Sequence, residues 1–345
     1  MLYRYPQVVW ARPASDRWVF LCDALRKYQA PLERLVVARE RKWELVSALQ
    51  KSIRRGEKEV ALRLLSMLDS MSEEYAYFWR RLCVIACEDV GPADDLLASF
   101  VIACTTLFSP RKTGRENLTL MGFLADQMCG LSNRSRIYCS YSVIEPAAFK
   151  SELPRLTRDD ESIVAAILQS GGTESPWREW KKKNDWRAEG LLHFVGLRLP
   201  FHMTALSRPI PCSKVLFDLP SYCYDVHTRV GLKVLQRLVR GAAGAGNIRD
   251  FFHANRVGNA HRALGMALFF EEGGQIKGEL LYQHLCSLEQ RVFAHQYGMN
   301  ADSWWQMRGL VQKALAEGVI DRVREEVLRQ QYGQRKLQLI APEGV

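Results

Sequence analysis

Asp225 and His227 lie two residues apart in YDVHTRVG, and a carboxylate beside an imidazole is the pairing that proton transfer or metal ligation uses. On one helix, positions i and i+2 face different sides. The competing reading is therefore a helix-capping aspartate followed by a partly buried histidine. Asp250, His253 and His261, with Glu271 and Glu272 as further carboxylates, would extend the pair toward a metal-dependent hydrolase. Their spacing is not that of H-E-x-x-H, and no His-Asp pair is adjacent, so neither a catalytic residue nor a metal site is expected. Cys83 and Cys87 stand one helical turn apart in an apolar stretch, where packing explains them better than ligation.

Nucleotide chemistry finds less to work with. The chain holds no G-x-x-x-x-G-K-[ST] stretch, whose glycines let backbone amides surround phosphates while the lysine contacts them. Gly241, Gly244 and Gly246 in RGAAGAGN lack that lysine and hydroxyl, and read as a flexible connection. No cofactor is expected.

Binding chemistry is better represented. In WREWKKKNDWR, Trp177, Trp180 and Trp186 have faces that stack on unpaired bases, and Arg178, Lys181, Lys182, Lys183 and Arg187 meet phosphates. The alternative is an amphipathic helix with its tryptophans in a core and its lysines in water. Arg229, Lys233, Arg237 and Arg240 fall at offsets of four, four and three, a basic stripe that would follow a phosphate backbone without reading bases. A plain solvated face is the alternative there. Lys51, Arg54 and Arg55 gather on one side of an earlier helix and complete the candidate nucleic-acid-binding set.

The elements that must carry these residues are helical by their periodicity. Leu45, Ala48, Leu49, Ser52 and Ile53 lie at three-and-four spacing, as do Val60, Leu64, Met67, Leu68 and Met71, and then Tyr75, Phe78, Trp79, Leu82, Ile85 and Ala86. Val230, Val234, Leu235 and Leu238 form the apolar side opposite the second basic stripe. Trp304, Met307, Val311 and Leu315 form one face near the C terminus, and Val319, Ile320, Val323 and Val327 another. Two packed helices account for both.

The chain has 345 residues, 48% of them hydrophobic, and a net charge of +10, so large cores and a negatively charged partner are both expected. Nine cysteines, an odd number without dense spacing, point to reduced thiols and a cytoplasmic location. The opening MLYRYPQVVWARPASDRW lacks the apolar core of a secretory signal, and the weakly polar segment over 96–108 is too short to span a bilayer, so no membrane is expected.

Three blocks between Glu44 and Cys104 carry a family resemblance: SALQKSI at Ser47 to Ile53, ALRLLSML at Ala61 to Leu68, and RRLCVIACEDVGPAD at Arg80 to Asp94. In order and spacing they resemble the C-terminal helical domain of the MgsA/RarA group of AAA+ ATPases, which includes the Werner-helicase-interacting ATPase. The resemblance implies a clamp-loader-like collar that mediates oligomerisation and works with single-stranded DNA, single-strand-binding protein and stalled forks. It also implies a structural role for Glu88 and Asp89, closing a helix end against a neighbour. The 43 residues before Glu44 are expected to hold no ATPase domain. The Asp225 to Thr228 segment and FFEEGG at Phe269 to Gly274 resemble stand-alone, often phage-borne relatives without an ATPase.

The expected fold is all-α, a collar-like helical bundle with additional C-terminal helices. Its expected divisions are an N-terminal arm and helices over 1–43, a collar-like domain over 44–168, a basic, tryptophan- and proline-containing connection over 169–220, a helical domain over 221–333 and a tail over 334–345. The expected function is that of a non-enzymatic accessory protein in DNA replication or repair. It would form a homo-oligomer and bind DNA, single strands favoured, or replisome proteins. A phage-encoded inhibitor of a host AAA+ or defence protein is the first rival, and a His/Asp metal-dependent hydrolase the second.

Overall fold

A computed structural model describes residues 41–69, 75–90, 97, 101, 115–130, 213–272 and 290–333. The fold is all-α: apart from one two-stranded hairpin, the regular elements among the described residues are helices. No described helix is long and apolar enough to cross a membrane. The chain divides into two compact units, and the division falls within the first described helix, between Lys51 and Ser52. The tryptophan-lysine segment over 177–187 lies outside the described residues.

Helix α1 is Lys42–Arg55. Its expected apolar set, Leu45, Ala48, Leu49, Ser52 and Ile53, is buried, but the opposite side is not the solvated basic face that the sequence predicts. Gln50, Lys51, Arg54 and Arg55 are buried as well, so α1 is enclosed on almost every side over its last two turns. A helix with buried cations must be given internal acids, because an unpaired buried charge costs several kcal/mol.

In the unit that begins at Ser52, α2 (Lys58–Asp69) packs on α4 (Arg115–Cys129). Leu64, Met67 and Leu68 are buried on α2, and Met121, Leu124, Ala125 and Met128 on α4. Lys58 reaches Asp126 at 2.8 Å across that packing. Helix α3 (Tyr75–Ile85) buries Phe78, Trp79, Leu82 and Ile85, then widens into a π turn over Ala86–Val90. The π turn sets Asp89 fully buried, where its carboxylate takes the Arg54 Nε–H. Cys83 is buried.

The other unit comprises 41–51, 213–272 and 290–333 among the described residues. Hairpin strands β1 (Val215–Leu216) and β2 (Leu219–Pro220) pair Val215 with Pro220 and Leu216 with Leu219. They lead through a 3-10 turn at Ser221–Cys223 to α5 (Arg229–Val239), then α6 (Gly246–Asn255) and α7 (Ala260–Glu272). After a helical segment over 290–296 come α8 (Ala301–Ala316) and α9 (Val319–Tyr332). Helix α5 packs on α6, α7 and α9, while α8 packs on α6, α7 and α9.

The expected inward side of α5, Val230, Val234, Leu235 and Leu238, is fully buried, each side chain contributing about 1.5–3 kcal/mol of burial. Gly265 brings α7 close to it: a methyl group there would stand 2.8 Å from both Leu235 Cδ1 and Val226 Cβ. Trp304, Met307 and Val311 of α8 and Val319, Ile320, Val323 and Val327 of α9 are buried as the sequence pairs them; Leu315 is only half-buried, and Ala314 closes the α8 face in its place.

Candidate functional site

The hairpin tip is built from two residues that rarely adopt its conformation. Phe217 and Asp218 have φ of 49° and 66°, the left-handed pair that a two-residue turn matching strand twist requires. Arg41 holds it, one guanidinium nitrogen donating to the Phe217 carbonyl at 2.9 Å and another to the Tyr224 hydroxyl at 2.8 Å. Tyr224 in turn donates to the Leu216 carbonyl at 2.9 Å. Burial pushes the Tyr224 phenol up, so it stays protonated and keeps donating.

From this anchor the chain turns through Asp225, Val226 and His227 into α5. Thr228, not Asp225, caps the helix: its hydroxyl oxygen accepts from the Gly231 N–H at 3.0 Å. Gly231 is required by proximity, since a methyl group on it would lie 1.8 Å from the Asp225 carbonyl oxygen. The turn is thereby pressed against the first turn of α5.

Asp225 and His227 are in a turn, not on a helix, and so they meet. The Asp225 carboxylate is buried; one oxygen accepts the His227 backbone N–H at 2.9 Å, and the other faces His227 Nδ1 at 3.0 Å. A carboxylate only accepts, so Nδ1 carries the proton and the neutral ring keeps its lone pair on Nε2. The same carboxylate oxygen takes Lys51 Nζ at 2.6 Å, and Lys51 also donates to the Tyr222 carbonyl. Phe269 of α7 and the imidazole make a T-shaped pair at 5.5 Å between centroids, and Lys51 Nζ lies 5.7 Å from the centre of the Phe269 ring. Asp225 and Lys51 are 1% and 2% exposed, yet the His227 side chain is 59% exposed. Burial alone would raise the Asp225 carboxyl; Lys51 and His227 outweigh it and hold it well below the usual carboxylate range.

Other buried acids of the unit are matched in the same way. Glu272 takes both terminal nitrogens of Arg324 at 2.7 and 2.6 Å, a bidentate fork, and Arg324 also reaches Asp321 at 3.2 Å. Burial opposes the Arg324 charge, and Glu272 and Asp321 overcome that opposition. Glu271 accepts from Arg308 and, at 2.9 Å, from Gln312. Glu44 stands beside Arg41 and 3.5 Å from the Tyr332 hydroxyl; burial raises its carboxyl despite them.

Interior and surface of this unit differ in their balance of charge. Four acids and four cations of this unit are buried among the described residues, a balanced interior. Eleven lysines and arginines are exposed against four acids, with two cations and three acids half-buried. Arg229, Lys233 and Arg240 belong to the exposed set, and Arg237 is half-buried. Lys233 donates to Gln331 at 2.9 Å and Arg237 to Gln330, so the stripe runs beside the end of α9.

The basic stripe on α5 is therefore outward, as its spacing predicts. Lys51, Arg54 and Arg55 are not: Lys51 is spent on Asp225, Arg54 on Asp89, and Arg55 on Glu57 at 2.7 Å. His253 is exposed on α6 and His261 half-buried on α7, while Glu271 and Glu272 are committed to arginines. Sequence reasoning missed Arg41, Lys51, Arg308 and Arg324 as internal counter-ions. One signal was present: Glu271 and Glu272 follow Phe269 and Phe270 directly, and acids continuing an apolar run demand buried cations. Scanned against protein-family models, the chain matches none, and searches of curated proteins and of solved structures also return no match.

Proposed function

We propose that this chain is a non-enzymatic accessory protein of DNA replication or repair that binds nucleic acid, single strands favoured, or replisome components, and self-associates through its collar-like helices. The observation that supports the binding part is the charge of one helical unit's surface: its interior is balanced, and its exposed residues carry a large excess of lysine and arginine. Such a surface suits a polyanion whose backbone is contacted without base readout. Exposed Arg229 and Lys233 on α5 and Arg240 at its C-cap supply a row of contacts with the spacing of helix turns. The replication setting and self-association rest on the resemblance of the Ser47 to Asp94 blocks to the AAA+ collar.

Fluorescence anisotropy with labelled single- and double-stranded oligonucleotides at low salt tests this reading. The expected result is binding that weakens steeply with salt, and an Arg229→Ala/Lys233→Ala/Arg240→Ala variant that binds at least about tenfold more weakly. Absence of binding to either oligonucleotide rejects it.

A further inference from the structure

We propose that the seam between α5 and α9 is the track for a phosphodiester backbone, with Gln330 and Gln331 as the residues that position the α5 cations along it. This deepens the nucleic-acid reading, on which it rests, by building the contact surface from two helices instead of one. Two hydrogen bonds define the seam: Lys233 Nζ donates to Gln331 Oε1 at 2.9 Å, and Arg237 donates through Nη2 to Gln330 Oε1. Arg237 Nη1 also lies 3.9 Å from Glu326. Partner numbers fall along α9 as they rise along α5, so the two helices run antiparallel and the seam follows both.

What sets these cations apart is the charge of the groups that hold them. Exposed cations elsewhere in the unit meet carboxylates: Arg329 meets Glu325 at 3.1 Å, Arg249 meets Asp250 at 2.8 Å, and Lys313 lies 3.8 Å from Glu317. A carboxylate cancels the charge that it orients. A glutamine oxygen accepts the same hydrogen bond with no net charge, so Lys233 and Arg237 are oriented and stay cationic toward a polyanion. Long side chains lose rotamer freedom when a ligand orders them, and a cation already held by an amide has less to lose.

The amides are themselves placed. Lysine and arginine only donate, so each glutamine turns its oxygen to α5 and its NH2 away. The Gln331 NH2 donates to the Tyr332 hydroxyl at 3.3 Å. Tyr332 is half-buried, its ring 5.4 Å from the Arg41 guanidinium and its hydroxyl 3.5 Å from Glu44. Acids oppose the stripe at two of its cations: buried Glu44 acts on Arg229, and exposed Glu326 on Arg237. Lys233, between them in sequence, meets the Gln331 amide.

Anisotropy titrations of the full chain with a labelled oligothymidylate test the seam. Gln330→Met/Gln331→Met removes the acceptors without adding charge, and is expected to bind roughly threefold more weakly with the salt dependence of the wild type. Gln330→Glu/Gln331→Glu turns the acceptors into carboxylates, and is expected to bind at least about tenfold more weakly with a salt slope reduced by about two. Gln296→Glu/Gln306→Glu carries the same change of charge at exposed positions outside α5 and α9, and is expected to stay within about twofold of the wild type. Thermal midpoints of both seam variants should stay near that of the wild type; weaker binding that tracks a lower midpoint overturns the positioning role. Wild-type affinity in either seam variant, or an equal loss in Gln296→Glu/Gln306→Glu, overturns the seam and leaves the nucleic-acid reading in place. Inorganic polyphosphate offers the same oxygens without sugar or base. If it binds with the same order of variants while no oligonucleotide binds, the seam stands as a phosphate-chain site and the nucleic-acid reading fails. If it binds without that order, or neither ligand binds, both fall.

Discussion

The Asp225 and Glu272 clusters contain the same ingredients and end in opposite states. Each is a buried carboxylate on a buried cation, within one helical unit. Glu272 is closed: both of its oxygens take Arg324, and Asp321 takes what remains of the guanidinium's charge. Asp225 is open, because one oxygen is shared between a buried lysine and an imidazole that reaches solvent. A closed pair contributes to holding α7 and α9 together, and a change of pH or ligand has little purchase on it. An open pair ties an interior charge to a side chain at the surface.

The largest break in this comparison is expected from Glu272→Gln, which leaves the Arg324 charge buried with only Asp321 near it. Chemical denaturation should show a loss of about 3–4 kcal/mol, with partial recovery in an Arg324→Met/Glu272→Gln double variant. Lys51→Met should cost less, about 2 kcal/mol, since Asp225 keeps the His227 backbone N–H and Nδ1 as donors.

The sign at the acid end follows from the depressed Asp225 carboxyl. Its contribution is present above the unfolded-state value of about 3.9 and is lost as pH falls through that value toward the lower folded one. Acid unfolding should therefore be shallower in Lys51→Met than in the wild type. The smallest effect is expected from His227→Ala, within about 0.5 kcal/mol, because the ring is largely exposed and Lys51 keeps Asp225 paired. A loss as large as that of Lys51→Met would show the histidine to be structural and erase the distinction between the open and closed clusters.

Much of the helical framework was legible because it depends on local spacing. Val230, Val234, Leu235 and Leu238 declare a buried side without reference to the rest of the chain, and Trp304, Met307 and Val311 do the same. The site was less legible for two physical reasons. Whether Asp225 and His227 meet depends on the helix starting at Arg229 rather than earlier, a boundary set by the Thr228 cap and by the close approach at Gly231. The solvated face expected for Lys51, Arg54 and Arg55 failed because a lysine or arginine opposite an apolar stripe looks the same whether it meets water or a distant acid. Asp89 and Asp225 decide that, and neither is a helical neighbour of the cation it receives.

The bond from Arg41 to the hairpin tip joins residues 176 positions apart, and that from Lys51 to Tyr222 spans 171. During synthesis at 5–20 residues per second, roughly ten to thirty seconds separate the emergence of α1 from that of its partners. Through that interval Arg41 and Lys51 have none of these internal acceptors, and the helix that carries them can only wait in water or on a chaperone. The unit is thus assembled from its two ends of sequence late in translation, and ribosomes stalled before Asp225 should display nascent chains in which α1 is cut readily by a lysine-directed protease.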